Sequence, residues 1–317
     1  MKNSLISIII PCKDIDDYTH ECIKHCDQLD YDSYEIILLP DNSGETIEGV
    51  KVIPTGPVSP GAKRNIGIKN SKGEFCAFID NDAYPRRDWL TNALKYLQDP
   101  EVGGIGGPGL TPEEDGWIQK AGGFVLSSFM VGNLSSRYKT SESFESDDIH
   151  SCNFIARKSV VAEAGGWNEK YWPGEDTLMC LAIKRLGKKL IESCEVVVYH
   201  HRRSLFGPHL KQVSRFGEHR GFFAKRFPEN SLKLTYFLPS LLVLSLFVGL
   251  LLSFLISFLA FVVVLGIAAY LVLSLIAAVS QVKKPNLILL VWSGIVLTQI
   301  VYGLSFLSGL VKRDLTR

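Results

Sequence analysis

The sequence predicts an α/β domain with a mostly parallel sheet, followed by a membrane-embedded end. Three observations carry that reading. Leu5–Ile10 and Glu35–Leu39 are near-continuous apolar runs, as expected of strands buried on both faces. Helix-length stretches separate such runs, which is the alternation a parallel sheet requires. The last third then holds two charge-free runs, 44 residues from Tyr236 to Val279 and 27 from Pro285 to Val311. About 20 apolar residues cross a bilayer as a helix. The first run therefore has room for two crossings, with a break near Ser253–Ser257, and the second for one.

Taken in order, Leu5–Ile10 is the first strand and Asp17–Leu29 a helix. Glu35–Leu39 is the second strand and Val50–Ile53 a short third. Gly61–Ser71 reads as a helix, Phe75–Ile79 as the next strand and Trp89–Leu97 as another helix. The glycine-dense run Gly103–Gly109 is not followed by the Lys-Ser/Thr of a phosphate loop, so it reads as a flexible or closely packed connection. Ser135–Asp148, rich in serine and acids, reads as an exposed loop, and the sequon Asn133-Leu134-Ser135 beside it is unused in a cytosolic domain. Pro173-Gly174-Glu175-Asp176 leads into a helix over Thr177–Leu186, with Gly187 as its stop. A strand over Val196–Tyr199 runs into His200-His201-Arg202-Arg203. His209–Phe227 mixes basic and aromatic residues, which suits a helix lying in a membrane interface.

Composition narrows the class. The 317 residues carry a formal net charge of +1, so bulk binding of a polyanion such as nucleic acid is not expected. Leu5–Ile10 is too short for a signal-peptide core and Pro11 ends it, which keeps the front domain in the cytosol. Seven cysteines, an odd number without framework spacing, agree with a reducing compartment. Cys22 and Cys26 near His20 and His25 make only a weak metal pattern. Two crossings return Lys283 and Lys284 to the cytosolic side, in line with the positive-inside tendency. A third places Lys312, Arg313 and Arg317 outside, against it. The tail is then a tolerated exception, the last segment is re-entrant, or the number of crossings is different.

The chemistry starts at Asp80-Asn81-Asp82, where the strand Phe75–Ile79 empties into a loop. Residues i and i+2 of a strand face the same side, so both carboxylates can converge on one ligand. Two hard oxygen donors suit a Mg²⁺ or Mn²⁺ ion carrying a diphosphate; the plain alternative is a polar turn. Pro11, Asp41 and Asp80 each lie just past a strand end, which gathers them on the rim where α/β sheets bind ligands. Glu175 and Asp176 form a second acidic pair. Acids at a helix N-terminus are favoured by the dipole and by capping whatever their further use.

In order, Ile-Ile-Ile-Pro, Pro-Asp-Asn-Ser, Gly-Ala-Lys-Arg-Asn-Ile-Gly, Phe-Ile-Asp-Asn-Asp, Gly-Gly-Trp-Asn-Glu and Pro-Gly-Glu-Asp precede a basic cluster and the apolar helices. This series resembles the family 2 glycosyltransferases of GT-A fold, over roughly residues 4–230. The resemblance implies a Rossmann-like nucleotide-diphospho-sugar transferase domain and inverting transfer from a nucleotide sugar with Mg²⁺ or Mn²⁺. It implies Asp82 and Asp80 at the metal, with Asp80 alternatively at the ribose. Asp41 would contact the base near Pro11 and Lys13, and Lys63 and Arg64 would face the donor. Asp176 would be the general base, preferred over Glu175. Asn65 and Gly67 serve packing.

Trp172, like Trp167, is placed either to stack on a sugar face or to fill the core. His201 and Arg202, with their neighbours, are assigned to the leaving diphosphate or an anionic lipid head. Gln212 and Arg215 resemble part of the Gln-x-x-Arg-Trp motif of processive members, but Phe216 replaces the Trp, and the few crossings argue against polymer export.

The resulting expectation is a GT-A catalytic domain over 1–205, a basic interfacial segment over 206–233 and about three transmembrane helices over 234–317. The partners are a nucleotide sugar, a lipid-linked glycan acceptor and membrane lipid, with no nucleic acid. The alternatives are transfer onto a polyprenyl phosphate, a non-catalytic nucleotide-sugar-binding membrane scaffold, and a nucleotidyltransferase.

Overall fold

The structure is a computed structural model that describes residues 4–42, 45–132, 138 and 142–315. The sequon, the first part of Ser135–Asp148, Ser43 of the Pro-Asp-Asn-Ser motif and Arg317 lie outside the described residues. The chain forms two compact units. One takes in the chain up to Pro112 and the later stretch ending at His201. The other takes in the segment that begins at Glu113 and the chain from Arg202 onward.

The first unit opens with β1 (Ile6–Pro11), α1 (Asp17–Cys26), β2 (Tyr34–Leu39), β3 (Val50–Val52), α2 (Pro60–Asn70) and β4 (Phe75–Phe78). These strands pair in parallel in the order β3-β2-β1-β4. Every residue of β1 is buried, because helices cover both faces. Ile6, Ile8 and Ile10 pack with α1 residues such as Cys22 and Ile23, while Ile9 packs on the opposite side with Ile37 and Phe78. Full burial of each large aliphatic side chain contributes about 1.5–3 kcal/mol. Ser7 is the polar exception. Its hydroxyl donates to Glu35 at 2.7 Å and accepts from the Gly73 N–H at 2.9 Å, which satisfies the buried group.

The unit continues with β5 (Ala83–Pro85), α3 (Trp89–Leu97), β6 (Val102–Gly106) and β7 (Gly109–Leu110), and the second unit contributes α4 (Trp117–Ser127). Next come β8 (Phe144–Glu145), β9 (Phe154–Arg157), α5 (Lys158–Glu163), α6 (Glu175–Arg185), β10 (Lys189–Glu192) and β11 (Val198–His200). The large sheet runs β3-β2-β1-β4-β9-β6-β10-β8, and a small one runs β5-β11-β7. The large sheet is mixed: β9 lies antiparallel between β4 and β6, and β8 is antiparallel to β10. Gly103–Gly106 is strand rather than connection. A Cβ on Gly104 would stand 2.8 Å from the Phe154 ring, and one on Gly106 2.3 Å from Ile149 and from the Asn153 carbonyl. Only glycine lets β6 approach that closely.

The second unit adds α7 (Gly207–Arg226), α8 (Pro228–Ser231), α9 (Leu234–Ser253), α10 (Ser257–Gln281) and α11 (Pro285–Val311). The last three are long and apolar enough to cross a membrane. The charge-free run breaks at Phe254–Ile256, between α9 and α10. α9 and α10 leave large apolar side chains exposed, Phe254 at 81% in the turn between them among these, as lipid-facing helices do.

Candidate active site

The rim at the carboxyl ends of β1, β2 and β4 gathers candidate site residues. β4 ends at Phe78, and the Ala83 N–H donates to the Asp80 carbonyl at 3.0 Å. That turn leads into β5. Asn81 faces away, its amide donating to Thr19 Oγ1 at 3.1 Å and Asp16 Oδ1 at 3.3 Å, so the spacer is tied to the capped start of α1. β5 pairs antiparallel with β11, placing His200 opposite Ala83. The His201 N–H then donates to the Asp82 carbonyl at 3.0 Å.

The result is a three-residue cluster. One ligand atom each from Asp80, Asp82 and His200 lies within 4.8 Å of the others, and His200 Nε2 is 3.2 Å from Asp82 Oδ1. Burial alone would lower the His200 pKa, but Asp82, with a smaller part from Cys152, outweighs it and pushes the value up to about 10. Two carboxylates and, once its proton is displaced, an imidazole fit a divalent ion. His200 belongs to this cluster and was not among the expected metal ligands. The signal was a histidine directly after an apolar strand, but only the pairing of β5 with β11 brings it to Asp82.

The two cations at the start of α2 are turned inward. Ser59 caps the helix, its hydroxyl accepting from the Ala62 N–H at 3.2 Å, with Pro60 in the first turn. Lys63 donates to the Leu39 carbonyl at 3.1 Å, to Asp41 Oδ1 at 2.5 Å and to Thr55 Oγ1 at 2.8 Å. These acceptors use all three of its donors. Arg64 is 2% exposed. It reaches Glu175 Oε1 at 2.9 Å, Asp80 Oδ1 at 2.7 Å and Ser151 Oγ at 2.9 Å, over the ring of Trp167. Each spends its charge on protein oxygens, because a buried cation needs paired acceptors.

The second acidic pair divides. Gly174 holds φ 110°, a left-handed conformation that favours glycine, and from it α6 starts at Glu175. Glu175 is 4% exposed. Burial pushes its pKa up to about 7 against the opposing pull of Arg64, with Asp176 adding to the rise. Asp176 is half-buried, and its Oδ1 accepts from the Thr177 N–H at 2.8 Å.

The other expected residues fall into three places. Pro11 is buried at the end of β1, exposed Lys13 sits beside Asp14 at 3.5 Å, and the Asp41 N–H donates to the Lys13 carbonyl at 2.9 Å. These three thus gather with Lys63 at the β2 side of the rim. Trp172, 44% exposed, lies on the loop entering α6, whereas Trp167 is core, edge-on to Phe78 and Phe154. His201 is buried, 2.9 Å from Glu21 Oε2 and packed on the ring of Tyr18, and its N–H braces the Asp82 turn. Arg202, Gln212 and Arg215 belong to the second unit. There the buried Arg202 N–H donates to Asp115 and its carbonyl accepts from Gln119. Gln212 is half-buried and Arg215 exposed on α7. Cys22 and Cys26 are buried in α1, and their mutual hydrogen bond, with burial, pushes the Cys22 thiol well above its ordinary value.

A sequence model described as glycosyl transferase family 2 matches residues 7–165, which spans β1 to α5 and includes both carboxylates of the Asp80–Asp82 turn. The chain belongs to this family. A pre-mycofactocin glycosyltransferase of Mycobacterium tuberculosis is 26% identical over 54% of this transferase, which spans 36% of that relative's length. A Methanococcus voltae dolichyl N-acetyl-α-D-glucosaminyl phosphate 3-β-D-2,3-diacetamido-2,3-dideoxy-β-D-glucuronosyltransferase is 23% identical, covering 70% of this chain and 75% of its own. Among solved structures, the Pyrobaculum calidifontis mannosyltransferase PcManGT, in complex with GDP-Man and Mn²⁺, superposes with a TM-score of 0.56 at 18% identity. The match covers 98% of this transferase and 88% of that chain. The fold is GT-A, as the sequence motifs imply.

Proposed function

We propose that this transferase moves a sugar, with inversion, from a nucleoside-diphosphate donor to a hydroxyl of a lipid-linked glycan at the cytosolic face of a membrane. The observation that carries the reading is the convergence of Asp80, Asp82 and His200, tied through Arg64 to the Glu175–Asp176 helix start. Those three residues would hold Mg²⁺ or Mn²⁺, which when bound would supply positive charge beside the leaving diphosphate. Asp41, fixed by Lys63, recognises the base between Pro11 and Lys13.

Inversion in one displacement needs one general base. Asp176 takes that role. It is half-exposed, and its place at a helix N-terminus favours the anion that accepts the acceptor's proton. Glu175 is a positioning residue: it holds Arg64, which orients Asp80. Trp172 offers an exposed ring to the acceptor sugar.

The membrane-confined acceptor is supported by the three apolar helices. The Methanococcus relative, whose name specifies a dolichyl N-acetylglucosaminyl phosphate, supports it too. A phosphate acceptor is already ionised and needs no base, so transfer onto a bare polyprenyl phosphate would leave Asp176 idle.

The test is a panel of nucleotide sugars with purified protein in detergent, Mg²⁺ or Mn²⁺, and membrane lipid extract. The readouts are released nucleoside diphosphate and glycosylated lipid. Turnover with one donor, lost in Asp82→Ala and in Asp176→Asn, is expected. Undiminished activity of Asp176→Asn selects the polyprenyl-phosphate acceptor. Failure of every nucleotide sugar to bind overturns the proposal.

A further inference from the structure

The third apolar helix does not stand where a third crossing would stand. α9 and α10 form an antiparallel hairpin: a Cβ on Gly249 would meet Val263 at 2.7 Å. At ~1.5 Å per residue, Ser240 lies roughly 22 Å from the hairpin turn at Leu255, and Leu271 and Ser274 lie roughly 24–28 Å from it. α11 meets α10 at that distant end, where Trp292 Nε1 donates to the Leu271 carbonyl at 3.2 Å and Ser274 Oγ at 2.9 Å. Were α11 a third crossing beside the hairpin, residues 303–306 would be close to the turn.

Instead they meet the opposite end of α9. The Ser240 hydroxyl donates to the Gly303 carbonyl at 3.0 Å, and the Phe237 and Phe306 rings are 4.7 Å apart. Between Trp292 and Gly303, α11 advances roughly 16 Å with almost no change of level along the hairpin. It therefore lies across the open end of α9 and α10.

A second observation is independent of this one. The later half of α11 runs beside α7, in the same direction. His209 Nε2 is 2.9 Å from Thr298 Oγ1, Ser214 Oγ is 2.9 Å from Ser305 Oγ, and Glu218 pairs with Lys312 at 2.7 Å. The contact is close at small residues: a Cβ on Gly221 would stand 2.1 Å from the Phe306 carbonyl, and one on Gly309 2.0 Å from the Glu218 carbonyl. α7 carries Lys211, Arg215, Glu218, Arg220, Lys225 and Arg226. A helix so charged does not enter hydrocarbon, and a partner locked to it stays at its level. Accordingly, 33% of the most apolar stretch of α11 is buried in protein, against 6% for α9 and for α10.

We infer that only α9 and α10 cross the membrane, and that α11 lies with α7 in the membrane surface as an in-plane lipid-contacting helix. Lys283 and Lys284 before α11 and Lys312 and Arg313 after it then share one face of the bilayer. That arrangement removes the conflict with the positive-inside tendency that three crossings create.

Single cysteines at Lys283→Cys, Arg313→Cys and Leu255→Cys test this in sealed vesicles with a membrane-impermeant maleimide. The background is full-length protein carrying Cys194→Ser, since the other six cysteines are buried. Labelling of positions 283 and 313 from one face and of 255 from the other is the expected pattern. Labelling of 313 together with 255 overturns it. Protease accessibility of a tag appended after Arg317, against a cleavage site inserted at Phe254–Ile256, gives the same discrimination if a cysteine variant fails to insert: opposite faces support two crossings, and one shared face supports three.

Discussion

The two acidic pairs of this transferase are placed in opposite surroundings. Asp80 and Asp82 are spaced by one residue on a turn. Both remain partly exposed, 31% and 37% by side chain, and with His200 they make an open donor set. Glu175 and Asp176 are adjacent in the first turn of a helix, so their side chains diverge. One is sealed against Arg64, and the other stays half-exposed. Spacing and element type decide which carboxylates cooperate and which part company. Arg64 is the link, because a planar guanidinium can serve a carboxylate from each pair at once.

The largest effect expected from breaking this contrast is at the open pair. Asp82→Asn should lower kcat by about 10³-fold, the scale of losing a divalent charge clamp worth several kcal/mol, while circular dichroism stays unchanged. Steady-state assay at saturating donor checks it; a loss of tenfold or less would return the turn to a structural role.

Arg64→Lys comes next. A lysine offers a point charge rather than a fork, so one of Asp80 and Glu175 loses its partner. At pH 8, where Glu175 is ionised, leaving a buried charge uncompensated costs about 3–5 kcal/mol, which denaturant unfolding would register as a lower midpoint, with kcat reduced as well.

Glu175→Gln sharpens the closed pair through pH. The folded value of Glu175 is raised from the ordinary 4.5 to about 7. Its contribution to stability is therefore fully present below about pH 4.5 and lost as pH rises through about 7. Glutamine does not titrate, so the Tm of the variant minus that of the parent should increase between pH 5 and pH 8. A difference that stays constant would mean that Arg64 outweighs burial.

The smallest effect belongs to Lys13→Ala. An exposed ion pair such as Lys13–Asp14 is worth about 0–1 kcal/mol, so stability should hold while the donor KM rises a few-fold and kcat does not change.

Much of this was legible along the chain. β1, β2, β4 and α3 follow from continuous apolar runs and helical spacing; Asp80 and Asp82 stand out by their place at a strand end, and Asp176 only through the family resemblance. What was not legible was long-range. β9 enters the sheet antiparallel from a segment with no alternation to read, since both of its faces are buried. The glycine strand β6 looks like a loop until Phe154 and Ile149 are seen to need its missing side chains. His200 became part of the donor set only through β11, and Trp167 and Trp172 were separated only by burial.

By itself, then, the sequence determined the first strands and helices, the α/β class, the apolar helices and the motif order, because these depend on periodicity, charge and neighbours a few residues away. The tertiary structure decided the mixed sheet, the third member of the Asp80–Asp82 cluster, the inward turn of Lys63 and Arg64, and the course of α11 across the end of the hairpin. Each of those rests on pairing between residues far apart in the chain, where local propensity carries no information about the partner.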